Sequence, residues 1–346
     1  MGLIKSLFQA LLFNIFFLFF EFTRHIFVIY IKSISVMKKH ALILAMAASL
    51  VGICSCSTSK NAGKSIKSEV WQTMMVKLVD VQIEDEIIIA KYNNGTTLSY
   101  KILDNFGNVS LTWDHANGRK SFDEGYSTYK GEISIPSFVV AGADDEFVFR
   151  VMEIDENAFN GCTNVTKIDI PFSVMRIMDG AFSGCSNLKS ITVNENNPTY
   201  KSVDGVLYSQ DSRMLITYPA QKEGTDYVIG EDVSLICADA FSSNKFLENV
   251  TVGNFITAIS DNAFKNCSSL KTVELGSNVR IIGVSAFMGC TNLERINARG
   301  FFPPHNCPTV FETVTKENCR LYVPKGQLWN YKRRLEWVDF KNVQEY

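Results

Sequence analysis

Through the second half of the chain the dipeptide Ala-Phe returns at Ala158-Phe159, Ala181-Phe182, Ala240-Phe241, Ala263-Phe264 and Ala286-Phe287, with Phe spacings of 23, 59, 23 and 23 residues. Two further registers keep the same phase. Ile154, Ile177, Ile236, Ile259 and Ile282 stand five residues before each Phe, and Val165, Leu188, Leu247, Leu270 and Leu293 stand six after. A unit this short cannot bury an apolar face alone, so successive units must stack over one continuous core. The pattern predicts a solenoid of five 23-residue repeats over 151–300. The gap of 59 reads as one repeat plus 36 inserted residues, assigned to about 197–233.

Inside a repeat, Asn187-Leu188-Lys189-Ser190-Ile191-Thr192-Val193 has strand alternation, with Leu188, Ile191 and Val193 facing inward. The column Phe159, Phe182, Phe241, Phe264 and Phe287 is expected inside the coils, because an aromatic repeated in register marks a core. In the insertion, Tyr200–Tyr208 and Met214–Tyr218 alternate around Ser209-Gln210-Asp211-Ser212-Arg213, which predicts a hairpin projecting as a loop. Such a loop serves either as a structural elaboration or as part of a binding face. Upstream, Thr97–Leu103 and Asn108–Trp113 flank the turn-prone Asp104-Asn105-Phe106-Gly107, a hairpin suited to capping the open edge of the first coil. Region 69–150 is therefore read as a β-rich cap, with Glu69–Asn94 left between helix and strand.

Composition excludes one class of partner. The 34 Lys+Arg and 36 Asp+Glu are unevenly placed, five basic and one acidic residue preceding Ser57, so the remainder carries a net charge of −6. A nucleic-acid surface needs a basic excess. Lys38-Lys39-His40 followed by the apolar run Ala41–Gly52 has the form of an export signal beginning at Met37. It ends in Ile53-Cys54-Ser55-Cys56, which resembles a bacterial lipobox and implies a lipoprotein signal peptide over 37–56 with diacylation at Cys56. Residues 57–68 have the small, polar composition of a tether. For residues 1–36 two readings stand, an upstream extension of the reading frame, which we prefer, and a tilted membrane segment over Leu7–Ile31.

The order Ile, Ala-Phe, Cys three residues on, then L-x-x-I-x-V resembles the BspA-type, or Treponema pallidum-type, leucine-rich repeat of bacterial surface lipoproteins, most clearly over Val151–Gly300. The resemblance implies a leucine-rich-repeat solenoid of the α/β horseshoe class: β-rich, with a parallel strand ladder and short helical turns, an N-terminal β cap and a C-terminal aromatic cap. In residues 301–346, Trp329, Tyr331, Trp337 and Phe340 would cover the last coil or form an exposed patch. Such repeats accept Cys or Asn at one inward position, which here is held by Cys162, Cys185, Cys267 and Cys290, and by Asn244 in the third repeat. Side chains stacked in one direction make poor disulfide geometry, so a reduced ladder is expected. Cys307 and Cys319 are the one pair considered for a bridge.

Catalytic patterns are missing. Gly63-Lys64-Ser65 looks like the end of a phosphate loop, but Thr58 stands where its first Gly belongs. There is no G-x-S-x-G and no H-E-x-x-H, and after Cys56 the only histidines are His115 and His305. The expectation is a noncatalytic protein without cofactor or metal. It would be lipid-anchored in the outer membrane, at the cell surface or on the periplasmic face, and bind a protein or glycan in adhesion or host and community interaction, as the resemblance implies. Candidate contacts are the outward strand positions Lys167, Asp169, Lys189, Thr192, Glu248, Thr251, Lys271, Glu274, Arg295 and Asn297. The alternatives are an envelope enzyme with its chemistry in 69–150, and a purely structural envelope protein.

Overall fold

A computed structural model describes residues 78–346, apart from 85, 93, 114–128, 142–146 and 308. Cys56, the export signal, the tether and residues 1–36 lie outside the described residues. The chain is a β solenoid of about eight turns. Its start is an antiparallel meander of β1 (Leu78–Glu84), β2 (Ile87–Tyr92), β3 (Thr97–Ile102) and β4 (Asn108–Thr112). The β3–β4 turn is tied by Asp104, whose carboxylate accepts from the backbone of Phe106 at 2.8 Å and Asn108 at 3.1 Å. β4 then pairs in parallel with β7 (Phe147–Ile154), while β6 (Phe138–Ala141) pairs with β7 on its other side, so the meander continues the edge of the first coil.

Two parallel ladders run along the solenoid. On one side, β5 (Lys130–Ser134), β8 (Asn164–Ile170) and β10 (Ser190–Val193) form one sheet. On the same side a second sheet holds β14 (Asp226–Val228), β16 (Asn249–Thr251), β18 (Thr272–Leu275), β20 (Arg295–Ala298), β22 (Arg320–Val323) and β23 (Asn342–Glu345). The other side carries the short strands β15 (Leu235–Ile236), β17 (Ala258–Ile259), β19 (Ile281–Ile282) and β21 (His305–Asn306). Pairs such as Val250↔Val273 and Ile259↔Ile282 are 23 residues apart, so each repeat is one coil.

Between the ladders the chain turns through left-handed residues rather than short helices. Asn157, Gly180, Asp239, Asn262, Ser285 and Thr309, each two residues before an aromatic ring, have positive φ. So do Gly161, Gly184, Ser243, Asn266 and Gly289, two residues after. Each such residue breaks a helical run, which corrects the expected helical turns. The one α-helix among the described residues is α1 (Leu328–Tyr331), in the cap.

The rings make the interior column. Phe159 and Phe182 stack at 5.7 Å, Phe241 and Phe264 at 4.6 Å, and Phe264 and Phe287 at 5.1 Å with planes 2° apart. Phe311 extends it at 5.6 Å from Phe287. Tyr129 closes the top at 5.5 Å from Phe159, its hydroxyl donating to the Thr112 carbonyl at 2.8 Å. Trp337 and Phe340 close the bottom edge-on against Phe311, at 5.2 and 5.3 Å. Tyr331 and Trp337 are buried, but Trp329 is 64% exposed, so it does not cover the last coil as expected. Two residues apart on one helical turn, Trp329 and Tyr331 face different ways.

The expected projecting hairpin is instead woven into the coils. Tyr200–Val203 (β11) and Val206–Ser209 (β12) form a tight hairpin, and Met214–Thr217 (β13) pairs antiparallel with β12 and parallel with β15. β14 pairs with β16 at the 23-residue offset. Tyr218 lies 4.9 Å from Phe241 with planes 22° apart, one repeat length ahead of it, and takes the ring position of an additional coil. The interval of 59 is thus a coil of 36 residues followed by one of 23. β12 divides the interior: strand alternation sends Leu207 into the core around Phe159 and Phe182, and Val206 and Tyr208 into the core around Phe241 and Phe264.

Candidate recognition surface

Seven of the ten outward residues lie on the two long-strand sheets, and Lys189, Glu248 and Lys271 each stand one residue before a strand; the structure groups them into small paired clusters rather than a free row. In the first sheet the Asp169 carboxylate takes a 2.8 Å contact from Lys167, a 2.9 Å hydrogen bond from Ser134 and one from Thr192, 23 residues on. Burial alone would raise its pKa. The Lys167 ammonium and the two hydroxyls outweigh that and hold the group below the usual carboxylate range. Lys189 stands exposed beside this cluster.

In the second sheet Lys271 pairs with Glu248 at 2.9 Å, which raises the lysine pKa. Glu274 accepts from Asn297 and pairs with Arg299 at 2.9 Å. Asn249 donates to Asp226 at 2.9 Å, and the Arg295 guanidinium lies 5.3 Å from the centre of the Tyr322 ring. Thr251 is half-buried in the same row. The contacts between neighbouring coils connect outward residues of adjacent strands, the sheet analogue of i,i+4 pairs on a helix. Exposed pairs of this kind contribute about 0–1 kcal/mol each, so their effect is to fix side-chain geometry more than to stabilise the fold. Between the two sheets lies the β11–β12 turn, where the Lys222 ammonium holds Asp204 at 2.8 Å and Ile191 donates to the Gly205 carbonyl at 2.9 Å.

The cysteines sit inside. Cys185, Cys267 and Cys290 each direct the thiol to the carbonyl of the Phe 26 residues earlier, at 3.1 Å. Asn244 performs the same closure with its amide, which donates to the Pro219 carbonyl at 3.2 Å and accepts from the backbone of Phe246 and Leu247. Asn197 repeats this geometry in the long coil, reaching the Pro171 and Val174 carbonyls at 2.8 and 2.9 Å. Cys162, Cys185, Cys267 and Cys290 are unbridged, and so are Cys307 and Cys319, which corrects the one bridge considered. Burial pushes the Cys267 thiol up to about 12, far from the reactive thiolate range.

Where Phe182 has no ring partner on the following coil, a slot of about 190 Å³ remains, lined by Ile177, Met178, Tyr200, Ile216 and Cys237 among others. Burial raises the Cys237 thiol to about 12, with Asp179 adding to the effect, so this cysteine is no nucleophile at neutral pH. Among the described residues no group of three or more His, Cys, Asp or Glu side chains converges. The described strands of 78–150 form the antiparallel meander and join the first coils through the parallel β4–β7 and β5–β8 pairs.

Parallel ladders wound about two stacked ring columns define the class, a leucine-rich-repeat solenoid. The family model of the BspA type leucine rich repeat region matches residues 146–206 and 220–305 in 6 copies. The break in that match falls in the long coil. Similar solved structures include a leucine-rich repeat protein from Eubacterium ventriosum, at 28% identity and a TM-score of 0.44, covering 56% of this chain and 48% of that one. The chain thus spans about half of that protein's length. The T. pallidum leucine rich repeat protein is 21% identical over 58% of this chain and 68% of its own, with a TM-score of 0.29. A leucine-rich repeat protein from Bacteroides ovatus is 17% identical over 72% and 75%, with a TM-score of 0.32. A search of curated proteins gives no match. The repeat family points to recognition or binding through the repeat surface.

Proposed function

We propose that this is a noncatalytic, lipid-anchored recognition protein of the cell envelope, whose long-strand face engages a protein or glycan outside the inner membrane. The observation that carries the reading is the outward surface of the second sheet, where Glu274, Arg295 and Asn297 are held in register by a continuous parallel ladder and the Glu248–Lys271 pair flanks it. A solenoid gives such a row a broad surface with little conformational entropy left to lose on binding. Adhesion or community interaction fits the family resemblance. The alternative of an enzyme with its chemistry in 69–150 draws no support from the described strands there. A pull-down with the chain, against bacterial-surface and host extracellular proteins and glycans, tests the reading. A captured partner that is lost on Lys271→Glu and Arg295→Glu supports it, and capture unaffected by both changes places recognition elsewhere.

Anchoring rests on the lipobox resemblance. Diacylation adds about 0.8 kcal/mol per buried methylene, and more than one chain is needed for a firm hold. Cys56→Ala is therefore expected to release the protein from the membrane fraction, as seen by blotting of fractionated cells. Retention in that fraction would remove the lipid anchor from the reading. Ser57-Thr58-Ser59-Lys60 carries none of the acidic residues that commonly follow the lipidated Cys in surface-exported lipoproteins. Protease shaving of intact cells decides the face: digestion of the repeats means surface display, and full protection means the periplasmic leaflet.

A further inference from the structure

At the C-terminal end a second, differently built site lies away from the long-strand face. Arg280, Phe302, Pro303, His305, Asn330, Arg333 and Arg334 line an open depression of about 470 Å³. Arg280 and His305 come from neighbouring rungs of the short-strand ladder, the His305 backbone donating to the Arg280 carbonyl at 2.8 Å. The other two arginines follow α1. No carboxylate lines the depression, and among the described residues none of the three arginines forms an ion pair. Lys316, in the same C-terminal region, lies instead between Glu336 and Asp339. Here each guanidinium contacts something other than a carboxylate. Arg280 donates to the Ser277 carbonyl at 3.1 Å, Arg333 covers the Trp329 ring at 4.0 Å, and Arg334 lies against the His305 imidazole at 2.6 Å. Gathering cations with no counter-charge costs free energy that an anion recovers, and a guanidinium fork holds a carboxylate or sulfate through paired hydrogen bonds.

Phe302 lines the depression, and its neighbours Phe301 and Trp329, the latter with one face under Arg333, add aromatic surface beside it. Trp329 is 64% exposed, and Phe301 and Phe302, in edge contact at 5.8 Å, are each 63% exposed. Flat rings turned to solvent beside arginines offer a surface for the apolar face of a sugar, and the Asn330 amide supplies both a donor and an acceptor for hydroxyl groups. The depression is open to solvent along its length, as an extended chain requires. We infer that it binds an anionic polysaccharide, with carboxylate or sulfate groups in the arginine fork and sugar rings on Trp329 and the Phe301–Phe302 pair. This goes beyond the long-strand reading, because none of these residues belongs to that face.

Calorimetric titration of the full chain tests it, using oligogalacturonate as the carboxylated probe, a chondroitin sulfate oligosaccharide as the sulfated one, neutral galactan, and polyglutamate. At least one anionic sugar is expected to bind about tenfold or more tighter than both galactan and polyglutamate, and the first two arms tell carboxylate from sulfate. Arg280→Gln with Arg333→Gln, both at exposed positions, should weaken that binding about tenfold or more, and Trp329→Ala should weaken it with the fold unchanged. Lys271→Glu on the long-strand face should leave it intact, so failure of one site is separable from failure of the other. Absence of binding to either anionic sugar overturns the inference. Equal binding of polyglutamate would transfer the site to acidic peptides, and binding that survives the arginine changes would move it off this depression.

Discussion

Phe264 has no solvent exposure and stacks on Phe241 on one side and Phe287 on the other, so the ring contributes burial and two offset aromatic contacts. Its neighbours are held in place by their own coils. The amide of Phe264 donates to the Ala286 carbonyl at 2.8 Å, and Asn262 and Asn266 bracket the ring at positive φ. A backbone fixed this way cannot collapse into a vacated ring site. Phe264→Ala is expected to cost about 3–5 kcal/mol, read as a lowered urea midpoint by circular dichroism. Wild-type-like unfolding would mean that the ring column is not the core. The left-handed residues explain why small or polar types recur around each Ala-Phe. At Gly289, with φ +82°, an added Cβ would stand 2.3 Å from the Asn266 amide oxygen and 2.9 Å from its backbone, so space favours Gly where Ser243 and Asn266 hold the same left-handed position in other coils.

One coil up from Phe241, Tyr218 tests whether the long coil is a structural unit or an appendage. Its ring is 2% exposed and stacked, and Tyr227 packs edge-on against it at 4.6 Å. Tyr218→Ala should therefore destabilise about as much as the loss of a repeat Phe, about 3–5 kcal/mol, whereas a projecting loop would tolerate the change within about 0.5 kcal/mol. A denaturant titration of the variant separates the two. The same residue shows where the sequence stops being readable. Repeats announce themselves when every register carries the same residue type, as in the five Ala-Phe pairs, but a column needs only a flat ring. Tyr218-Pro219 and Val310-Phe311 both meet the physical need without the dipeptide. The outward face was legible as a face, because period-2 alternation sets which residues point out. Its pairings follow the same 23-residue offset, as in Asp169 with Thr192 and Glu248 with Lys271, but which facing side chains meet depends on their rotamers. The basic depression was beyond sequence reasoning altogether. Arg280 and Arg333 are 53 residues apart and converge only because the turn after α1 folds back over the last short strands.

At the scale of the whole molecule, the coils bury titratable thiols and phenols throughout both core clusters. Burial raises Cys237, Cys267, Cys319 and Tyr218 to about 12, and pushes Cys185 and Cys290 well above their ordinary value. In the unfolded chain a thiol titrates near 8.5 and a tyrosine near 10, and below those values both states are fully protonated, so the groups are neutral in the balance. Above them the unfolded chain gives up protons that the folded chain keeps. Unfolding then releases protons, and stability falls as the pH rises from about 8.5 towards 12. For a fully buried thiol the loss reaches about 2 kcal/mol at pH 10, since each pKa unit is worth about 1.36 kcal/mol. With several such groups in one cooperative stack, the urea midpoint under reducing conditions should drop sharply between pH 7.5 and pH 10. Cys267→Ser removes one of them. Ser cannot ionise in this range but still donates to the Phe241 carbonyl that Cys267 meets at 3.1 Å, so the variant should be somewhat less stable at pH 7.5 and lose less than wild type on going to pH 10. Parallel pH profiles for the two proteins would show that this thiol titrates normally in the folded state and is not sealed within the coils.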